Sequence, residues 1–222
     1  MSQDRSGIAE RHRNRSGLSA FNSPLEVIML MFFGKPKGKN TDNDENASRA
    51  ARLKILRESF YAWKKWPEFA PDNTRFQTVP IQLLLNEKKK LKEYGDNAKI
   101  VVLNAHGSSR TFNGYDGSEV AEMLVTLGIK EAGTKEIWVA ACDVGHQTQD
   151  NSSAEPFATD LLRQLRQRDV DPSVYAPRGM LTYRDPTRKV VGNESVLVYG
   201  RSVIRSPERE YPFSEGWVLA HP

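Results

Sequence analysis

Apolar positions along this chain gather into short blocks separated by polar stretches that carry glycine and proline. Two blocks, Ile100-Val101-Val102-Leu103-Asn104-Ala105 and Ile137-Trp138-Val139-Ala140-Ala141, are almost unbroken. That is the pattern of strands buried on both faces of a parallel sheet. Each ends abruptly, the first at His106-Gly107-Ser108-Ser109 and the second at Cys142-Asp143-Val144-Gly145. Between them, Asp116 to Gly128 sets Val120, Met123, Leu124 and Leu127 on one helical face. Asp116 or Ser118 is the expected N-cap of that helix and Gly128 its C-cap. A second helix is expected over Ser153 to Arg166, with Phe157, Leu161, Leu162 and Leu165 on one face and Pro156 in its first turn. Further strands are predicted at Val174–Pro177, Met180–Tyr183 and Ser195–Tyr199. Strands alternating with helices predict an α/β fold.

The N-terminal half is patterned differently. Leu53, Leu56, Phe60 and Trp63 recur at helical spacing from Ser48 onward, and Trp66-Pro67 closes that helix. Arg75 to Asn86, holding Phe76, Val79, Ile81, Leu83 and Leu85, alternates like a strand. Glu87 to Tyr94 reads as a short basic helix or turn. Leu25 to Phe33 is the most apolar stretch, too short to span a bilayer. Gly34-Lys35-Pro36-Lys37-Gly38-Lys39 follows it where a signal peptide would carry a small-residue cleavage site, so a buried strand or helix is expected. Met1–Ser23 and Lys35–Ala47 are polar and poor in apolar residues. The expected division is 1–47 as a flexible leader and linker with a short apolar segment, and 48–222 as one domain.

Composition changes the picture little. The mean hydropathy of −0.59 is polar for a folded chain of 222 residues, which agrees with segments lying outside the core. A net charge of +4 and a pI near 9.1 reach only the threshold for a nucleic-acid-binding surface. A single cysteine forms no internal disulfide and no C-x-x-C zinc knuckle, which points to work in a reducing compartment. No spacing of His, Asp and Glu suggests a catalytic metal, and there is no P-loop or G-x-G-x-x-G. Trp63, Trp66 and Phe69 are expected to pack on the core and not to form a base-stacking platform. His12 and His221 near the termini, and His146 on the loop after Cys142, are expected to be solvated.

The chemistry lies at the two strand ends. In open α/β sheets ligands bind beyond the carboxyl ends of the strands, so His106 and Cys142 should share one rim. A thiol becomes a strong nucleophile on ionisation, which an imidazole and a helix N-terminus both favour. The amides of Gly107 and Cys142 are candidates for an oxyanion hole.

These motifs resemble clan CD, the caspase-like cysteine peptidases, whose apolar strands end in His-Gly and in a small residue followed by Cys. The closer resemblance is to the self-processing cysteine peptidase domains of RTX-type and large glucosylating bacterial toxins and to related secreted effectors. Asn113-Gly114-Tyr115-Asp116-Gly117-Ser118-Glu119-Val120-Ala121-Glu122-Met123-Leu124 looks like their Gly-Tyr-x-x-x-Glu-Leu-Ala helix start. Tyr183-Arg184-Asp185-Pro186-Thr187-Arg188-Lys189 looks like their basic β-hairpin, and the similarity runs from about Lys99 to Val198.

The resemblance implies a caspase-like sheet plus a basic β-hairpin, with Cys142 and His106 catalytic. It also implies activation by inositol hexakisphosphate held through Arg110, Arg184, Arg188 and Lys189. A protein substrate, host-derived if the chain is a virulence effector secreted by a bacterium into the host cytoplasm, would follow, with no nucleic acid, no membrane span and a monomeric state. The alternative implied function is an inactive inositol-phosphate-binding or protein-interaction module of the same fold.

Overall fold

The structure, a computed structural model, describes residues 27–32, 45–73, 78–93, 98–145, 155–184, 187–191, 194–198 and 201–221. For 45–50, 187–191, 194–198 and 201 the description is of the backbone. In chain order the elements are β1 (Val27–Met31), α1 (Glu45–Lys64), β2 (Thr78–Pro80), α2 (Ile81–Asn86), β3 (Ile100–Asn104), α3 (Gly117–Thr126), β4 (Glu136–Ala140) and α4 (Phe157–Arg166). Then follow β5 (Ser173–Pro177), β6 (Met180–Arg184), β7 (Thr187–Val191), β8 (Glu194–Val198), β9 (Arg201–Arg205), β10 (Glu210–Pro212) and β11 (Trp217–Leu219).

Six strands form one sheet in the order β11-β5-β4-β3-β1-β2. All neighbours run parallel except β11, which pairs antiparallel with β5. The apolar Leu25–Phe33 stretch therefore supplies an inner strand: β1, buried at all five positions, lies between β3 and β2. Its side chains alternate between two cores. Ile28 and Leu30 join Val101, Leu103, Ile137 and Val139 beneath α3 and α4, whereas Val27, Met29 and Met31 join Val102, Trp138 and Ala140 beneath α1. A strand with both faces covered cannot alternate in polarity, which explains the unbroken apolar runs.

Local chemistry fixes the helices. Asp116 is the N-cap of α3 and forms a reciprocal box with Glu119: its carboxylate accepts from the Glu119 amide at 2.8 Å, and the Asp116 amide donates to the Glu119 carboxylate at 3.1 Å. After the C-cap Leu127, Gly128 turns left-handed at φ +80°. The Gly128 and Ile129 amides donate back to Val125 and Leu124, so the last turn's carbonyls are satisfied. The alternation at 75–86 resolves differently from its strand reading over the described residues 78–86: Thr78–Pro80 is strand, and Ile81 to Asn86 coils into α2 with Ile81 and Leu84 buried and Leu83 exposed. An i, i+3 burial suits a helix, and the apolar run was too short to separate the two periods.

On the α1 side the sheet carries a layer built from α1 and a second sheet ordered β10-β9-β6. An aromatic cluster fills the space between. Phe60, fully buried, contacts Trp63, Trp66, Phe69, Trp138, Phe213 and Trp217 at centroid distances of 4.9–6.5 Å. Trp138 stacks on Tyr175 at 4.1 Å, and the Lys64 ammonium lies 4.2 Å and 4.4 Å from the Trp63 and Trp138 ring centres. Phe69 thus belongs to the core and Trp63 and Trp66 pack against it, as expected. No helix among the described residues is long and apolar enough to cross a membrane.

Candidate functional site

β3 and β4 are neighbours in register, Asn104 opposite Ala140. His106 and Cys142 each follow two residues after those partners, so one pairing carries both to the same rim. The chain winds outward in opposite directions from β1 and β3, to β2 on one side and to β4 and β5 on the other. Such a reversal opens a crevice at the carboxyl ends of the strands. A cleft of about 300 Å³ lies there, lined by Met31, Phe32, Arg52, Asn104, Ala105, His106, Ala141, Cys142, Met180, Leu181, Thr182 and Tyr183.

Several contacts fix the two loops. The His106 carbonyl accepts from the Asn113 amide at 2.7 Å, and the Ser108 amide donates to Thr111 at 2.9 Å. Phe112 anchors the His106 loop, fully buried between Phe32 at 4.8 Å and Phe157 at 5.7 Å. On the other loop the Asp143 amide donates to Gly179 at 3.0 Å and the Gly145 amide to Pro177 at 3.2 Å. That ties the Cys142 turn to the connection leaving β5. Asp143 takes a left-handed backbone at φ +58°, which aspartate tolerates better than most residues.

Gly107 is where the loops touch. A Cβ there would lie 2.6 Å from the Cys142 carbonyl oxygen and 2.8 Å from both Ala141 Cβ and Val144 Cγ1. Glycine is the residue that permits this approach. Among the described residues neither the Gly107 amide nor the Cys142 amide donates a hydrogen bond within the chain.

Cys142 is half-buried, and its Sγ lies 3.6 Å from the Leu181 carbonyl oxygen, to which the thiol donates. Burial pushes the thiol up from its ordinary value of 9.0; the Leu181 contact opposes this, the Asp143 charge adds to it, and the Arg52 charge opposes it. This shift favours the protonated thiol over the thiolate. α4 begins only at Phe157, and its Phe157 and Ala158 amides are taken by the carbonyls of Ser109 and Val144. Pro156 sits at the N-cap of that helix, just before its first turn.

Three further cleft residues carried no sequence signal. Asn104 Nδ2 donates to the Ala140 carbonyl at 2.8 Å and to the Tyr183 hydroxyl at 3.4 Å, bridging β3, β4 and β6. Burial holds the Tyr183 phenol far above its ordinary range, so it stays protonated. Arg52 reaches the cleft from α1.

The basic residues expected to gather on one hairpin are divided. Arg184 ends β6, opposite Arg201 of β9, whereas Arg188 and Lys189 lie in β7, opposite Leu197 and Val196 of β8. β6 pairs with β9 because Leu181 and Ile204 share the core beneath α1. Arg184 is bound by Glu210, Nη2 to Oε2 at 2.5 Å, and Arg205 joins the same carboxylate at 3.0 Å. Arg110 is exposed on the His106 loop, and the side chains of Arg188 and Lys189 lie outside the described residues. His221 is exposed, while His12 and His146 lie outside the described residues. Among the described residues no cluster of three His, Cys, Asp or Glu could hold a metal ion. The chain matches no family model, and no curated protein matches it.

Proposed function

We propose that this chain is a cysteine endopeptidase of caspase-like architecture within clan CD. Cys142 is the nucleophile and His106 its acid–base partner. One observation carries the reading: in-register β3 and β4 deliver the imidazole and the thiol to one cleft, with Gly107 pressed against the Cys142 carbonyl.

The chemistry follows from these groups. Cys142 Sγ gives its proton to His106 and attacks a substrate carbonyl carbon, pushing the carbonyl electrons onto oxygen. The Gly107 and Cys142 amides, which donate to no other described residue, receive that oxyanion. Its collapse breaks the C–N bond as His106 protonates the leaving amine, and water then hydrolyses the thioester. Because the resting thiol is raised by burial, proton transfer to His106 accompanies attack in this scheme and does not precede it.

Activation by inositol hexakisphosphate, through Arg110, Arg184, Arg188 and Lys189, belongs to the same proposal. The described side chains form no ready anion pocket, since Arg184 already holds Glu210, and no catalytic step is routed through the phosphate. A role as a secreted effector acting on a host protein extends the reading to the cell.

The test is incubation of wild type and Cys142→Ala with host-type lysate, with and without inositol hexakisphosphate, followed by mapping of new protein N-termini. New termini with wild type alone are expected. Equal cleavage by the variant, or none by wild type under either condition, overturns the assignment.

A further inference from the structure

A short hydrogen-bond chain runs along one wall of the cleft. Asn104 stands in register between Met31 of β1 and Ala140 of β4, and Tyr183 of β6 lines the cleft beside it. The Asn104 amide nitrogen has two hydrogens. One goes to the Ala140 carbonyl at 2.8 Å. A carbonyl only accepts, so the nitrogen of the Asn104 amide, and not its oxygen, is the atom that faces it. The second hydrogen goes to the Tyr183 hydroxyl at 3.4 Å. Tyr183 oxygen is thus the acceptor toward Asn104, and its own hydrogen points elsewhere. Among the described residues nothing accepts that hydrogen. Burial opposes loss of the proton, so the phenol is a donor at physiological pH. Its ring packs against the core beneath α1, as Cys142 does, which fixes where the donor stands. A partly buried donor left open is costly until something fills it.

We propose that Tyr183 is a substrate-binding residue whose hydroxyl donates to a backbone carbonyl of the bound peptide, one other than the carbonyl that Cys142 attacks. A peptide offers such an acceptor at every residue, and beside Met31, Phe32, Met180 and Leu181 a neutral carbonyl is cheaper to desolvate than a charge. The attacked oxygen turns to the amides of Gly107 and Cys142 on the two rim loops, whereas Tyr183 enters from β6. That the ligand is a peptide rests on the peptidase reading above. The direction of the donor does not, because it follows from the valence of Asn104 and Tyr183.

Tyr183→Phe removes the hydrogen and keeps the ring, so the variant should melt within about 4 °C of wild type. On a peptide that wild type cleaves, its kcat/KM should fall about tenfold. Each backbone carbonyl of that peptide is then replaced in turn by a thiocarbonyl, a weaker hydrogen-bond acceptor. Wild type should lose rate at one position away from the cleaved bond, and Tyr183→Phe should be indifferent to that same replacement. Equal sensitivity of the two proteins at every position overturns the proposal, since a merely structural effect of the lost hydroxyl slows all the peptides alike. If no peptide is cleaved, the peptidase reading fails and a readout without turnover decides on Tyr183. Cys142, the sole cysteine, is alkylated with iodoacetamide isotope-labelled at its carbonyl carbon, which tethers an acceptor in the cleft. The infrared band of that carbonyl should lie lower in wild type than in Tyr183→Phe, as a donated hydrogen bond weakens the C=O bond. Identical bands in the two proteins overturn the proposal.

Discussion

Gly107→Ala is the most informative single change in this molecule. The added Cβ meets the Cys142 carbonyl oxygen at 2.6 Å and Ala141 Cβ at 2.8 Å, atoms fixed to the backbone that cannot rotate away. Widening 2.6 Å to an ordinary contact of 3.4 Å separates the two loops by about 0.8 Å. Overpacking of this kind costs about 1–3 kcal/mol, which lowers the melting temperature of a chain this size by about 2–12 °C. A displacement near 1 Å between reacting groups costs about 100-fold in rate. The variant should therefore melt earlier and lose about two orders of magnitude in cleavage, with the loss in kcat. Gly133→Ala is the control. It forces an alanine into a left-handed backbone, at φ +64°, a strain that Gly107 does not carry, and its nearest contact is the flexible end of Lys99 at 3.3 Å. It should cost about 1 kcal/mol of stability and leave cleavage unchanged. Calorimetry and peptide hydrolysis on both variants read the contrast. A Gly107→Ala protein with wild-type melting and wild-type turnover would refute the close approach on which the site is built.

Other outcomes follow from the same geometry. Asp116→Ala removes one half of the α3 capping box and should cost about 1 kcal/mol, seen as a melting temperature lower by about 2–4 °C with Cys142 labelling unaltered; an unchanged melting temperature refutes it. Burial raises the Cys142 thiol, so its alkylation by iodoacetamide should keep accelerating above pH 9.0, the ordinary thiol value, and not level off there. The same raised group stabilises the fold fully below the unfolded thiol's value, and that contribution is lost as pH rises through the folded one. Replacing Cys142 with Ala should accordingly flatten the alkaline fall in melting temperature, and parallel curves for the two proteins would count against a raised thiol. Glu210→Gln releases Arg184 and Arg205. Inositol hexakisphosphate should then raise the melting temperature of the variant more than that of wild type, and equal shifts would remove Arg184 from the anion site.

What the sequence disclosed depended on how local each signal was. β3 and β4 were readable because burial on both faces leaves apolar runs, and the α3 cap because its partners sit three residues apart. His106 and Cys142 stood out as the polar residues at which those runs stop. β1 was readable as buried but not as a strand, since a five-residue apolar run carries no period. β10 and β11 are three residues each, too short for any pattern. Arg52 and Tyr183 were silent for another reason: they enter the cleft from α1 and β6, whose approach is decided by tertiary packing against Trp138 and Ile204. Dividing the basic residues between β6 and β7 likewise required knowing that β9, and not β7, partners β6.

The aromatic cluster has a spectroscopic consequence. Of the four tryptophans of the chain, Trp138 and Trp217 sit in the core beneath α1 and Trp63 and Trp66 pack against it, and none lies in the core beneath α3 and α4. Intrinsic emission therefore watches one side of the sheet. A partial opening that peeled α3 and α4 away would dim the far-ultraviolet helix signal while leaving the indole spectrum nearly still, so the two probes together resolve the molecule layer by layer.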